Sequence, residues 1–148
     1  MTSQPRVRMP WLRRLALTAV GLLVVSGCAK PVKLLPAEGF VEIGGRPAEG
    51  IMVQFLPEAI EGEQRPSSFA TTEADGRFVL VTQDGKPGAV AGSHTVILVD
   101  TLEERPEQGK PLTRPPRIDS RFSTLSGGLK ATVGEGGEAI ILQVPSQP

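Results

Sequence analysis

Residues 68–82 read SFATTEADGRFVLVT, and this stretch decides the fold class of the 148-residue chain. Two runs rich in β-branched and aromatic residues, 68–72 and 77–82, flank the tetrapeptide Glu73-Ala74-Asp75-Gly76. Asp-Gly between such runs is typical of a β-hairpin, because Gly76 adopts a positive φ at little cost and Asp75 bonds its own backbone. The stretch therefore predicts two antiparallel strands joined by a tight turn.

The same signals recur on both sides of this hairpin. Further alternating or β-branched runs are bounded by clusters of glycine and proline, which is typical of strands separated by turns. These runs are residues 40–43, 51–56, 93–100, 128–133 and 139–144. No segment after residue 27 has a helical period. The pattern predicts an all-β domain, an antiparallel sandwich of about seven strands.

The first 27 residues have the composition of a cleaved signal peptide. Four arginines precede an apolar run of 11 residues, 15–25, which is too short for a hydrocarbon core that needs about 20 residues. The junction Val25-Ser26-Gly27-Cys28 resembles the bacterial lipobox, in which a peptidase cuts before a cysteine that carries diacylglycerol. We therefore expect lipid on Cys28. The alternative is that Cys28 is a small apolar residue at the end of an anchor helix.

Lipidation would make membrane attachment stable, because two or more acyl chains bury enough methylene groups to hold a protein on a bilayer. Residue 29 is Ala, whereas lipoproteins kept at the inner membrane usually have Asp there. The resemblance therefore implies an outer-membrane location, facing the periplasm or the cell surface.

The remaining chain divides into a tether and one domain. Residues 28–37, with two prolines, are predicted to be a lipidated tether. Residues 38–148 form the predicted sandwich domain. Within it, residues 101–116 hold four prolines and six charges with few apolar residues. Because such a segment buries too little surface to offset its ordering entropy, it is predicted to be a mobile surface loop.

Composition after residue 27 argues against several classes of protein. This part holds 12 basic and 16 acidic residues, dispersed along the chain, whereas nucleic-acid binding needs clustered Lys and Arg. It has no Trp or Tyr, the side chains that form most aromatic platforms for sugars. Cys28 is the only cysteine, so no disulfide is expected within the domain.

No constellation of residues predicts catalysis, a cofactor or a metal ion. His94 is the only histidine, and a zinc site needs three or four close ligands, so we interpret it as a structural, partly buried residue. Asp75-Gly76 lacks the spacing of a calcium loop. Gly85, Gly88 and Gly92 do not begin a helix that could hold a phosphate.

Serine nucleophiles are equally unsupported. The candidates are Ser67, Ser68, Ser93, Ser120, Ser123 and Ser126. None lies in a G-x-S-x-G elbow, and one histidine cannot be assigned to any of them. The chain is therefore predicted not to be an enzyme.

Four stretches carry a resemblance to a known family: 39–41 (GFV), 45–55 (GRPAEGIMVQF), 72–78 (TEADGRF) and 88–96 (GAVAGSHTV). With the lipobox, they resemble the transthyretin-like or carboxypeptidase regulatory-like β-sandwich, and more narrowly the short predicted lipoproteins of planctomycete bacteria. The resemblance covers residues 38–144 and implies a Greek-key type sandwich without a family active site. The chain departs from it at His94, where the family more often has Tyr.

Two functional hypotheses follow. The first is a lipid-anchored cell-envelope module with a structural or protein-interaction role, using its sheet edges or the 101–116 loop. The second is an envelope lipoprotein that binds a small ligand or glycan with the loops at one end of the sandwich. The expected partners are the membrane, through lipid on Cys28, and envelope proteins or glycans, but no nucleic acid. The sequence leaves the oligomeric state open.

Overall fold

The computed structural model describes residues 32–103 and 114–147, and their regular structure is strand apart from one 3-10 helix. The strands are β1 (Leu34–Leu35), β2 (Glu38–Ile43), β3 (Arg46–Pro47), β4 (Ile51–Pro57), β5 (Ser68–Thr71), β6 (Arg77–Val79), β7 (Val81–Thr82), β8 (Ala89–Val90), β9 (Gly92–Asp100), β10 (Leu129–Val133) and β11 (Ile140–Val144). The 3-10 helix is Ser120–Ser123. The predicted all-β class is confirmed. The predicted signal peptide 1–27, Cys28 and most of the 101–116 loop lie outside the described residues.

The strands form two larger sheets and one small ribbon. The first sheet has the order β10-β9-β4-β5-β7. In the second, β2 lies between β11 on one side and both β3 and β6 on the other, while β1 and β8 pair alone. Every pair is antiparallel except β11 with β2, which is parallel.

The path of the chain explains why β2 and β11 are parallel. Both β2 and β11 are entered from the same end of the molecule, where Lys33 and Glu135 form an ion pair of 2.6 Å. The turn after β10 therefore sends the chain across to the second sheet, beside β2 and in the same direction. We call this the N-terminal end; the turns 44–50 and 72–76 lie at the distal end, joined by a hydrogen bond from Gly50 N to Thr72 O.

The core lies between the inward faces of the two larger sheets. In β4, the period of two buries Ile51, Val53 and Phe55. From the second sheet, Phe78 reaches Phe55 with ring centroids 6.0 Å apart. Gly39 permits this packing, because a Cβ there would lie 2.7 Å from Cζ of Phe78. The arrangement is consistent with a β-sandwich.

The predicted hairpin at 68–82 is half right. The turn forms: Gly76, at φ +78°, donates its N–H to Glu73 O, and Arg77 N–H donates to Asp75 Oδ1 at 3.0 Å. The predicted pairing is confirmed for residues 81–82, because β7 pairs with β5 as the hairpin requires, but it is wrong for residues 77–79, because β6 pairs with β2 in the second sheet.

The buried residue Leu80 explains the split. Its N–H donates to Ala37 O at 2.9 Å, and its carbonyl accepts from Gly88 N at 2.7 Å. These bonds hold Leu80 at the crossing between the two sheets. The predicted single strand 77–82 is therefore two short strands, one in each sheet.

The predicted tether is also shorter than residues 28–37. Leu34 and Leu35 form β1, paired with β8, and Leu35 and Ala37 belong to the buried core. The apolar side chains of this segment gain enough by burial to join the domain. With β3, β8 and the split of 77–82, the described residues hold eleven strands where about seven were predicted.

Candidate functional site

A groove of about 410 Å³ lies where β5 and β6 separate. Its walls are Phe69 and Thr71 from β5 and Arg77 and Val79 from β6, and its floor is the core residues Ala70 and Phe78. We call it the β5–β6 groove. It exists because the turn 73–76 joins two strands that then enter different sheets.

Backbone groups of both strands face this groove. Thr72 donates its N–H to Ile51 O on the β4 side, so the backbone of Thr71 faces the opposite side, into the groove. Leu80 donates to Ala37 O on the β2 side, so the backbone of Val79 also faces the groove. The described strand register does not include a pair between Thr71 and Val79, but the two runs are joined on both sides of this position, by Phe69 with Val81 and by the hydrogen bond from Glu73 N–H to Arg77 O.

Large exposed apolar side chains lie in this groove, at Phe69 and Val79, and on the neighbouring strands β2 and β11. Phe69 is 40% exposed and Val79 53%, and on the outer face of the second sheet Phe40 is 38% and Ile141 60% exposed. Phe40 lies opposite both Arg77 and Ile141 in the strand register, which connects these side chains across neighbouring strands. We call Phe40, Phe69, Val79 and Ile141 the apolar face. Several large exposed apolar side chains on neighbouring strands are typical of an interaction site.

The polar rim of the groove is a closed ion pair. Arg77 Nη2 donates to Glu38 Oε2 at 2.6 Å, and this hydrogen bond and charge raise the pKa of Arg77. Glu38 lies opposite Val79 in the β2–β6 register. The pair therefore neutralises the rim beside Val79, whereas the exposed carboxylate of Glu73 also lines the groove.

His94 is fully buried, at 1% exposure, rather than partly buried as predicted. Its Nδ1 lies 2.9 Å from Gly92 O, and its ring centroid is 5.7 Å from that of Phe55. Burial lowers the pKa of His94, and the nearby charge of Arg65 lowers it further. The ring is therefore neutral, with Nδ1–H donating to Gly92 O, and Nε2 has no hydrogen-bond partner among the described residues.

Arg65 fixes the loop that leads into this region. Its Nη1 donates to Glu58 O at 2.7 Å, and its Nη2 donates to Ala91 O. Its side chain is largely buried, and Nε makes no hydrogen bond in the described part of the chain, although it lies 3.8 Å from Glu63 Oε2. Arg65 thus ties the end of β4 to the start of β9, next to His94.

The other residues considered for a catalytic or metal-binding role do not cluster into a site. Asp75 and Gly76 form the turn of the hairpin, Ser68 Oγ donates to Gly88 O, and Ser123 Oγ donates to Leu98 O. His94 bonds to no serine in the described ranges, which also hold no group of three His, Cys, Asp or Glu side chains arranged for a metal ion. The predicted cleavage residues Val25, Ser26 and Gly27 and the predicted lipid site Cys28 lie outside those ranges.

A second groove, of about 360 Å³, lies at the distal end. It is lined in part by Arg46, Pro47, Pro116 and Arg117. Arg117 Nε donates to Asp100 Oδ2 at 2.6 Å, and Nη2 donates to Glu49 O at 3.0 Å. Because Arg117 is held by the protein's own acceptors, this groove offers less to a ligand than its two arginines suggest.

The sequence contains one signal that indicates the apolar face. Four consecutive apolar residues, 78–81, cannot all face one core in a strand with a period of two. Such a run indicates either a strand buried on both faces or exposed apolar side chains. The structure has the second arrangement at Val79.

No protein-family model, curated protein or solved structure matches the chain. Within the described ranges, no helix is long and apolar enough to cross a membrane.

Proposed function

We propose that this chain is a non-catalytic, lipid-anchored module of the cell envelope that binds a protein partner through its apolar face. The observation that carries the proposal is the exposure of Phe69 and Val79 at the β5–β6 groove and of Phe40 and Ile141 on the neighbouring strands β2 and β11. Burying such side chains against a partner is favourable, at roughly 25 cal/mol per Å² of apolar surface.

The proposed anchor rests on the sequence before the domain. The run 15–25 and the junction Val25-Ser26-Gly27-Cys28 support cleavage before Cys28 and lipid attachment to it. We place the mature protein at the outer membrane, facing the periplasm or the cell surface, because Ala29 follows the cysteine. The fold that we propose is a transthyretin-like or carboxypeptidase regulatory-like sandwich of Greek-key type, as the stretches 39–55, 72–78 and 88–96 suggest.

The chemistry of the described residues supports a binding role over a catalytic one. The one histidine is neutral and enclosed beside Phe55, and the serine hydroxyls with resolved partners donate to backbone carbonyls. A nucleophile needs a base within hydrogen-bond reach to be activated.

The partner can be sought by cross-linking in intact cells. A photoreactive amino acid at position 79 or 40 is expected to give a discrete protein adduct. The matched control is position 125, because Leu125 is also a large exposed apolar residue. The absence of an adduct from both 79 and 40, or the same adduct from 125, would contradict the proposal.

The anchor is tested separately. Cys28→Ala is expected to abolish labelling by a radioactive fatty acid and to leave the precursor uncleaved, while the domain still folds. Continued cleavage and membrane retention in that variant would sink the lipoprotein assignment without touching the binding surface.

The distal groove favours a second candidate, the binding of a small ligand or glycan. Its lining of Arg46, Pro47 and Pro116 is open to solvent at one end of the domain. A ligand that binds the native state raises the melting temperature. A thermal-shift screen of sugars, ions and short peptides, repeated with Arg46→Ala, would exclude this candidate if no compound stabilised the wild type.

A further inference from the structure

We infer that an extended, apolar segment of the partner protein adds as a strand to the free edge of β11. The inference rests on the proposed function, because it specifies how the proposed partner binds. β11 lies on the opposite side of β2 from β6, so the added strand contacts the apolar face at Ile141 and leaves the β5–β6 groove open.

The hydrogen bonds of β11 show which of its backbone groups face away from β2. β11 is an edge strand of the second sheet, and Val144 O accepts a hydrogen bond from Gly44 N at 2.8 Å. The backbone of Val144 therefore faces β2. Because successive residues of a strand direct their backbone groups to opposite sides, Leu142 also faces β2, whereas Ile141 and Gln143 face the free edge.

The hydrogen bonds of β2 agree with this assignment. Val41 N–H donates to Gly76 O, and Val41 O accepts from Ala48 N, both on the side away from β11. Among residues 32–103 and 114–147, no strand pairs with the outer side of β11, and no loop bonds to the backbone of Ile141 or Gln143. Such an edge is a template for another strand, because an extended backbone supplies the matching donors and acceptors.

The strands at the other ends of the two sheets are protected in ways that β11 is not. β7 and β3 have two residues each, and β3 includes Pro47, while β10 carries Lys130. Short length, proline and lysine are the features that keep an edge strand from pairing with other chains. Residues 139–144 hold no charged residue and no proline. Of the four strands, β11 is therefore the one suited to pairing with another protein.

Apolar side chains lie on both faces of this edge. On the inner face, Ile140 and, in the neighbouring edge strand β10, Leu129 and Ala131 pack against the core but are only partly buried. On the outer face, Ile141 is 60% exposed. Side chains of the added strand alternate between these two faces. Apolar residues at successive positions of the segment would therefore be buried on both.

The charges beside β11 exclude an acidic segment. The side chain of Glu138 is exposed directly before the strand. On the outer face, Glu42 Oε2 accepts a hydrogen bond from Gln143 Nε2 at 3.2 Å. Like charges close together repel. The segment that fits β11 is therefore apolar and without Asp or Glu.

A second copy of the chain fits this edge less well than a different protein. Two β11 strands related by a two-fold axis would have to be antiparallel, because a parallel two-fold pair sets donors against donors. Antiparallel pairing points the N-terminal ends of the two copies in opposite directions. The proposed lipid on Cys28 instead holds both of these ends at one bilayer.

Hydrogen exchange of the full lipidated chain in detergent is the first test. In the free chain, the amides of Leu142 and Val144 are expected to exchange slowly, because they bond to β2, and those of Ile141 and Gln143 fast. Equally slow exchange at all four amides would show that the edge is already covered, and would overturn the inference.

Peptide selection is the second test. A display library of random peptides of about ten residues is selected on the same chain. Selected peptides are expected to be apolar, to lack Asp and Glu, and to slow exchange at Ile141 and Gln143, while the amide of Ala74 in the distal turn serves as the reference. Selection of no such peptides, or of peptides that leave both edge amides unprotected, would show that strand addition is wrong.

Proline substitutions then remove single donors. Ile141→Pro and Gln143→Pro each delete one outward N–H, and an edge strand tolerates proline on its open side. The affinity of a selected peptide is expected to fall about tenfold in each variant, because one peptide carbonyl loses its donor. The matched controls Ile141→Val and Gln143→Thr keep the N–H and are expected to bind within about twofold of the wild type. Wild-type affinity in both proline variants would contradict the added strand, and the exchange measurements need no variant to fold.

The results also separate this inference from the proposed function. Adducts from position 79 or 40 in cells, together with edge amides that selected peptides leave unprotected, would overturn the added strand while the proposed function stands. A photoreactive amino acid at position 141 identifies the occupant in cells. An adduct with another protein would support the inference, whereas an adduct between two copies of the chain would overturn it.

Discussion

His94 is the residue whose environment most clearly sets a property of the folded protein. Its neutral ring, bonded to Gly92 O and packed on Phe55, has no acceptor for a second proton at Nε2. Arg65 adds a positive charge nearby, whereas Glu58 opposes it. Protonation in the folded state would place an imidazolium in the core, which is costly unless it is paired.

Stability is therefore expected to fall in mild acid. Unfolded His94 binds a proton near pH 6.5, but the folded residue does so only at lower pH, because burial lowers its pKa. Between the folded and the unfolded pKa of His94, the unfolded state binds more protons than the folded state. The contribution of His94 to the free energy of unfolding is therefore complete above about pH 6.5 and declines below it. Urea unfolding at about pH 7.5 and 5.5 measures this.

His94→Phe is the control for this prediction, because it keeps a ring beside Phe55 and removes the titrating group. The pKa of Asp84 is lowered to about 2 by hydrogen bonds from Lys86 and Thr82. Burial of Asp100 acts to raise its pKa, but hydrogen bonds from Arg117 and Leu102 lower it overall. Both carboxylates are therefore expected to take up protons, and so to reduce stability, only at a pH below the range in which His94 titrates. An equally steep loss of stability in His94→Phe would refute the assignment to His94.

Thr72 supports a second prediction at this scale. Its buried hydroxyl donates to Ala48 O at 2.6 Å and accepts from Ile51 N at 2.9 Å. Thr72→Val is expected to cost about 1–3 kcal/mol of unfolding free energy, because two backbone groups lose their partner. Denaturant titration measures it. The neighbouring, exposed Thr71→Val is the control, and equal losses in the two variants would contradict the role of the hydroxyl.

At the scale of the elements, β1 changes where the domain begins. Leu35 is buried in the core beside β8, so Leu35→Ala is expected to destabilise the protein by about 2 kcal/mol or more. Lys33→Ala, which removes only an exposed ion pair with Glu135, is expected to change stability little. If Leu35→Ala had no effect on the denaturation midpoint, the segment would be part of the tether after all.

The elements also show how much could be predicted from sequence. The runs 51–56, 93–100 and 139–144 correspond closely to β4, β9 and β11, because strand-length periods are local. The two-residue strands β1, β3 and β8 are too short to show a period. The choice of a partner strand does not depend on local sequence. The turn at Gly76 was predictable, but the pairing of β6 with β2 depends on bonds from Leu80 to distant residues. The groove was therefore not predictable.

At the scale of the whole molecule, the two ends have different surroundings in the proposed membrane arrangement. Glu138 is exposed in the turn between β10 and β11 at the N-terminal end, and Ala74 is exposed in the turn between β5 and β6 at the distal end. Strands of five to seven residues separate these ends by about 20 Å, at roughly 3.3 Å per residue.

A fluorophore on Glu138→Cys is therefore expected to be quenched by a lipid-borne quencher in vesicles that carry the lipidated chain, and one on Ala74→Cys much less. The acylated Cys28 leaves the introduced thiol as the only one to label. Equal quenching at the two positions would show that the domain has no preferred orientation. Stronger quenching at Ala74 would show that the distal end, not the N-terminal end, faces the bilayer.

The pairing of β1 with β8 also limits how far the domain travels from its lipid. Six peptide units separate Cys28 from Leu34, and each spans at most about 3.6 Å. With lipid on Cys28, as proposed, β1 thus stays within roughly 20 Å of the attachment point. A partner that binds the groove must come to the bilayer to do so, because this lipoprotein, as proposed, cannot extend outward to meet it.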